Sequence, residues 1–194
     1  KMRKSQGQVA REEEKQEQVE QKRISFSELK NWKECPYRHK LIHIDKLPYF
    51  EGNEFTAFGT SIHEVCEKIM INPSEDAYKI FEESFLKELS LLKQQGKKLD
   101  TSLVLEMRKQ ALPICEQVIP AVKEYFGSFE IVSVEEQLME PIKEFNSHGR
   151  KFKGFIDMVL KTPDNKYHII DWKTCSWGWS RDKKTDPITT YQLT

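Results

Sequence analysis

The chain has 194 residues, 38% hydrophobic and 32% charged, enough for one domain with a helical subdomain under a strongly solvated surface. Lysine plus arginine and aspartate plus glutamate number 31 each, so net charge does not advertise nucleic acid, and a surface for it must come from local clustering. No apolar run approaches a membrane span, no signal-peptide pattern opens the chain, and four dispersed cysteines (Cys35, Cys66, Cys115, Cys175) without a Cys-x-x-Cys pair suit a reduced, cytosolic protein.

Residues 1–23 are rich in Glu, Gln, Lys and Arg and cannot bury a face; they read as a charged tail or linker, an exposed helix or disordered. The domain is expected to begin at Ile24. Ser25-Phe26-Ser27-Glu28 offers a capping box, with Ile24 and Leu29 placed for a hydrophobic staple. Leu29 and Trp32 are expected to face inward from a short helix that ends at Cys35-Pro36, because the residue before a proline avoids helix. Tyr37, Leu41, Ile42 and Ile44 continue as a second apolar stripe.

Glu51 to Phe58 reads as a loop, and Gly59-Thr60-Ser61 as the opening of a helix with Ile62, Val65, Cys66 and Ile69 on one face. His63 falls in its first turn, where a lone histidine is usually structural or exposed, and Pro73 ends it. Glu75 to Gln95 is amphipathic through Tyr78, Phe81, Phe85, Leu89 and Leu92, and Gly96 punctuates it. Leu103 to Phe126 is helical, with kinks expected at Pro113 and Pro120. These helices carry no catalytic pattern and read as scaffold.

From Phe129 the period changes. Within Phe129 to Ile142, Ile131 to Leu138 reads as a strand, and so do Lys151 to Leu160 and Tyr167 to Thr174, with a turn at Asn146-Ser147-His148-Gly149 and another helix beginning near Tyr191. The fold class is therefore α/β, a mixed sheet flanked by helices, with residues 24–126 mostly helical and 127–194 forming the sheet.

The most informative stretch runs from Gly154 to Lys173. Two apolar runs flank a turn made by Pro163, Asp164 and Asn165, so a hairpin is expected. The runs are apolar on both faces, as in strands at the middle of a covered sheet. Yet each carries a carboxylate, Asp157 and Asp171, and Lys173 lies two residues past Asp171 on the same face. An odd number of residues in the loop brings Asp157 to that face as well. A buried charge must be paired or bind metal. The set is therefore either an Asp–Lys pair that holds the sheet together, or a Mg²⁺ site in which the lysine orients water and neutralises charge on a phosphate.

Beyond it, Trp177, Trp179, Arg181, Lys183 and Lys184 interleave aromatic rings with cations. That combination suits single-stranded nucleic acid, by stacking plus phosphate attraction; the plain alternative is a loop with one buried tryptophan.

Together these pieces resemble the RecB-type branch of the PD-(D/E)XK nuclease superfamily, which includes recombination helicase–nuclease domains, phage exonucleases and CRISPR-adaptation nucleases. The resemblance rests on Ser25-x-Ser27-x-Leu29-x-x-Trp32-x-x-Cys35-Pro36, Gly59-x-x-Ile62-His63, Gly154-x-Ile156-Asp157, Ile170-Asp171-Trp172-Lys173-Thr174 and Tyr191-Gln192-Leu193, in the family's order. It implies a restriction-endonuclease-like core over 24–194 and a Mg²⁺- or Mn²⁺-dependent DNA nuclease, most often an exonuclease of recombination, repair or phage DNA processing. By the same resemblance His63, Asp157 and Asp171 are metal ligands, joined by the backbone carbonyl of Trp172, and Lys173 activates water. Gln192 sits near the active site, and Tyr191 with the Trp177–Lys184 stretch contacts DNA. Glu135 falls where relatives often carry a glutamate on the preceding strand. DNA and a helicase or other recombination or replication protein are the implied partners, with a bacterial or phage-encoded cytoplasmic setting. The rival readings are a nuclease-like module that binds DNA or protein without cutting, and a site-specific endonuclease on the same core.

Two departures stand out. The glutamine motif's final tyrosine falls beyond Thr194, so the domain is expected to be truncated at its C-terminus. Some relatives hold an iron–sulfur cluster through a cysteine placed like Cys35 and three later ones. Cys66, Cys115 and Cys175 are not spaced to replace those, so a cluster is not supported and Cys35 reads as a buried thiol or an orphaned ligand.

Overall fold

The computed structural model describes residues 23–48, 52–143 and 150–175. In chain order the elements are β1 (Arg23–Ser25), α1 (Phe26–Glu34), α2 (Pro36–His39) running into a wide π-type turn (Lys40–Ile44), α3 (Glu54–Ile71), α4 (Ala77–Gln94), α5 (Thr101–Phe126), β2 (Glu130–Pro141), β3 (Lys151–Lys161) and β4 (Tyr167–Ile170). The strands form one mixed sheet in which β3 bonds to each of the other three, parallel to β1 and antiparallel to β4. The α/β class with a restriction-endonuclease-like mixed sheet is thus the observed one. No helix among the described residues is long and apolar enough to cross a membrane.

The chain divides into two compact units. The first comprises Lys1–Leu47 and Gln137–Phe155. Arg23, read above as the end of the charged tail, and Ile24–Ser25, read as the lead-in to a helix, form the short strand β1, with Arg23 beside Lys151 and Ser25 beside Lys153. Ser25 caps α1 by accepting from the Glu28 N–H at 3.2 Å, and the helix ends at Cys35 before Pro36, as the sequence implies. The capping box is only half made: the Glu28 carboxylate lies 3.1 Å from His39 Nε2. His39 stacks on His43, ring centroids 5.2 Å apart, and His43 Nε2 lies 3.0 Å from the amide of buried Asn31. These polar contacts tie the π-type turn back to α1. Leu29 and Trp32 do not face inward. They are 44% and 58% exposed, because the inward position of this short helix goes to Asn31.

The second unit comprises Pro48–Glu136 and Ile156–Thr194. Its core is the shared face of α3, α4 and α5 with Met158 and Leu160 of β3, and Phe81, Phe85 and Phe58 meet there ring to ring. Helix α3 begins at Glu54, earlier than the Gly59 start expected from sequence. Asn53 and Thr56 form a reciprocal capping box, Asn53 Oδ1 accepting from Thr56 N–H at 3.1 Å and Thr56 Oγ1 from Asn53 N–H at 2.8 Å. His63 is consequently mid-helix. Ile62, Val65, Cys66 and Ile69 are buried as their spacing requires, and Ser61 is buried with its hydroxyl donating to Ala57 O at 2.8 Å.

Asp76 and Asp100 cap α4 and α5. Helix α5 runs on through Pro113 and Pro120. Each proline removes one backbone donor, but both lie on the exposed side with Lys109 and Glu116, whose freed carbonyls water can reach. Met107, Ala111, Cys115, Val118 and Val122 hold the opposite side in the core. Burial pushes the Cys66 and Cys115 thiols up to about 12 and about 11, which leaves both inert as nucleophiles. On β3 Met158 and Leu160 are buried, whereas Ile169 of β4 is 47% exposed.

Candidate metal centre

The site is built on the β3–β4 hairpin of the second unit. Lys161 pairs with Tyr167, and the five residues 162–166 between them close a turn in which Asn165 N–H donates to Thr162 O at 2.9 Å. Asn165 takes the left-handed conformation, φ 63°, that its short polar side chain tolerates. Lys166 and then the Thr162 hydroxyl hold Asp164 down at about 2. Met158 pairs with Ile170, so one further step of the same register sets Asp157 opposite Asp171. The odd loop is thus the one that puts Asp157 and Asp171 at facing positions of the hairpin.

The two acids do different things. Asp157 is well covered, its side chain 12% exposed. Its Oδ2 accepts the backbone N–H of Trp172 at 2.7 Å and lies 3.5 Å from His63 Nδ1. Asp171 receives the Lys173 ammonium at 2.6 Å. Trp172 packs against the core, which fixes the backbone between Asp171 and Lys173 and leaves the lysine side chain 36% exposed.

Helix α3 supplies the imidazole. Gly59, one turn before His63, faces the chain that follows β4, and a Cβ there would meet Thr174 Oγ1 at 3.2 Å. The glycine is therefore a close-approach position.

Strand β2 supplies a third ligand atom. A histidine nitrogen of His63 and a carboxylate oxygen each of Glu135 and Asp157 lie within 4.8 Å of one another. Glu135 reaches the group because its backbone turns into the left-handed region, φ 50°, within the strand. That conformation is uncommon for a non-glycine residue and re-aims the side chain as a bulge does. Loss of water raises the Glu135 carboxyl above the usual range, the charges of Asp157 and then Glu67 raise it further, and His63 opposes them.

Beside this group lies a cleft of about 590 Å³ lined by Gly59, Thr60, His63, Glu64, Glu67, Lys68 and Glu135. Glu64 is engaged on its wall. Lys68 and the Ser84 hydroxyl, each at 2.6 Å, hold its carboxyl below the usual range.

Of the residues singled out from sequence, the structure brings His63 and Asp157 together and sets Asp171, Trp172 and Lys173 at their side. Asp171 is outside the three-residue group, being held by Lys173. Glu135 was given no role above, although it stands in the group. The signal was its position on the preceding strand, obscured because strand alternation does not reveal a residue of positive φ. Trp177, Trp179, Arg181, Lys183, Lys184, Tyr191 and Gln192 lie outside the described residues.

One imidazole and two carboxylates converging beside a cleft are a fitting donor set for a hard divalent cation, and the nitrogen ligand favours Mn²⁺ alongside Mg²⁺. A comparison with curated proteins gave no significant match. The family model of the PD-(D/E)XK nuclease superfamily matches residues 23–194, which takes in His63, Glu135, Asp157, Asp171 and Lys173. The chain belongs to the PD-(D/E)XK nuclease superfamily.

Proposed function

We propose that this chain is a divalent-metal-dependent DNA nuclease of the RecB-type branch, acting as an exonuclease in recombination, repair or phage DNA processing. The observation that carries the reading is the convergence of His63, Glu135 and Asp157 within 4.8 Å, next to the Asp171–Lys173 pair. His63, Asp157 and Asp171 hold the metal, Mg²⁺ or Mn²⁺, with the Trp172 carbonyl and Glu135 completing the oxygen ligands. When bound, the metal supplies Lewis-acid stabilisation of charge on the phosphate and on the leaving oxygen.

The chain's own residues do the rest. Lys173 orients the attacking water and offsets charge growing on the phosphate, and Asp171 keeps its ammonium in place. The Trp172 N–H orients the Asp157 carboxylate by bonding Oδ2, the oxygen that lies 3.5 Å from His63 Nδ1. Gln192 assists near the phosphate, and Trp177, Trp179, Arg181, Lys183, Lys184 and Tyr191 contact the DNA. A helicase or other recombination protein as partner, and a bacterial or phage cytoplasmic setting, belong to the same reading.

A purely structural ion pair explains Lys173 against Asp171 but leaves His63, Glu135 and Asp157 gathered for no reason. The test is cleavage of end-labelled linear single- and double-stranded DNA and of closed circles, with Mg²⁺, Mn²⁺ or EDTA, by the parent and Lys173→Ala. Metal-dependent loss of linear DNA, reduced at least about 100-fold in the variant with circles spared, is expected. Cutting that persists in EDTA or in Lys173→Ala overturns the assignment.

A further inference from the structure

The whole chain is neutral, but its charge is not evenly placed. Among the described residues the first unit carries ten Lys and Arg against four Asp and Glu, a net charge of +6. The second carries twelve against eighteen, a net charge of −6. Two of its four acids are paired with cations of the same unit: Glu34 is shared by Arg38 at 3.3 Å and Lys30 at 3.9 Å, and Asp45 is held by Lys40.

The same unit exposes aromatic rings. Trp32 is 58% exposed, Tyr37 69% and Phe155 54%, and the Lys153 ammonium sits 4.8 Å from the Phe155 ring centroid. Scattered exposed apolar residues are ordinary, but exposed rings within a strongly basic unit are the combination that stacked bases between phosphates require. A duplex hides its base faces, so the rings favour a single strand. The segments outside the described residues do not fit this surface by charge. Residues 1–22 carry six basic against five acidic residues and 176–194 three against two, while 49–51 and 144–149 carry one acidic residue each, so none has more than one net negative charge.

We infer that the first unit is a single-stranded nucleic-acid platform, in which Trp32 and Tyr37 stack on bases while Lys151, Arg150 and their basic neighbours hold the phosphate backbone. The choice of nucleic acid among polyanions rests on the nuclease reading; none of the residues named for this surface is one of the metal ligands.

The experiment is fluorescence anisotropy of the full chain with labelled oligo(dT), a blunt duplex and heparin, all in EDTA so that no cleavage enters. The variants are Trp32→Ala, Tyr37→Ala, Arg150→Gln with Lys151→Gln, and Trp32→Phe to retain a ring; circular dichroism checks their folding. The parent is expected to bind oligo(dT) more tightly than duplex. Trp32→Ala and Tyr37→Ala each weaken oligo(dT) binding about 5- to 100-fold, and Trp32→Phe recovers most of the loss. Arg150→Gln with Lys151→Gln lowers the salt dependence. Unchanged affinity in folded Trp32→Ala and Tyr37→Ala, no binding by the parent, or heparin bound with the same sensitivity to Trp32→Ala each overturns the inference. Cleavage at saturating DNA is measured in parallel. Loss of cleavage with this binding pattern intact counts against the metal-nuclease reading alone. Retained cleavage with ring-independent binding counts against the platform alone.

Discussion

The backbone N–H of Trp172 donates to Asp157 Oδ2 at 2.7 Å, so the acid of one hairpin strand is clamped by the chain just past the end of the other. That bond orients the Asp157 carboxylate and at the same time positions Asp171 and Lys173 on either side of Trp172. The site is therefore a property of the hairpin, with α3 and β2 each adding one residue to it.

Gly59 couples α3 to that hairpin. Alanine in a helix interior is worth roughly 0.5–1 kcal/mol over glycine, but here the added Cβ meets Thr174 Oγ1 at 3.2 Å. Gly59→Ala alone is expected to gain little or no stability. Gly59→Ala combined with Thr174→Ala is expected to gain about 0.5–1 kcal/mol, the propensity difference freed of the contact. Urea denaturation of the two single variants and the double variant measures the coupling; additive effects contradict the close approach.

Glu135 costs stability when no metal is bound. Its carboxyl is raised above the unfolded value, so the folded state binds the proton more tightly, and that contribution is lost as pH rises through the folded value. At pH 7 in EDTA, Glu135→Gln is expected to raise Tm, with the advantage shrinking as pH falls toward about 4. Mn²⁺ reverses the order. The parent gains about 2.7 kcal/mol at a metal concentration 100 times Kd, and the variant gains far less. Thermal melts with EDTA and with Mn²⁺ test both signs.

Arg108 grips Glu82 through two nitrogens, Nε at 2.8 Å, joining α5 to α4. The Arg108 hydrogen bond is the main cause of the depressed Glu82 carboxyl, with Tyr78 adding to it against desolvation. A depressed folded value stabilises above the unfolded glutamate value of about 4.3 and is lost as pH falls through the folded one. Because Arg108 is 41% exposed, solvent screening limits the pair to about 0.5 kcal/mol. Glu82→Gln is expected to cost about that at pH 7 and progressively less as pH falls below the unfolded glutamate value, by urea denaturation across that range.

Much of this was legible in the sequence for physical reasons. Apolar spacing along 77–94 and 101–126 marks helices because the buried side must recur every three to four residues, and Phe81, Phe85 and Met107 are buried accordingly. The Pro-Asp-Asn turn marks the hairpin loop, while its odd length, a condition in the sequence reading, follows from Lys161 pairing with Tyr167. The start of α3 was misread because Asn53 and Thr56 cap it reciprocally, while Gly59 looked like a boundary and serves instead as a point of close approach. Leu29 and Trp32 looked like core because spacing alone cannot tell a buried stripe from an exposed one. Glu135 was noted only through the family resemblance and given no role, because its place in the group depends on one backbone dihedral that no periodicity encodes.

The most direct test of the account is Mn²⁺ binding, followed by electron paramagnetic resonance or isothermal titration, in the parent and in His63→Ala, Glu135→Gln and Asp157→Asn. The account predicts saturable binding by the parent, weakened at least about tenfold in each variant while circular dichroism stays unchanged. Binding of undiminished affinity in Asp157→Asn, or no binding by the folded parent, contradicts it.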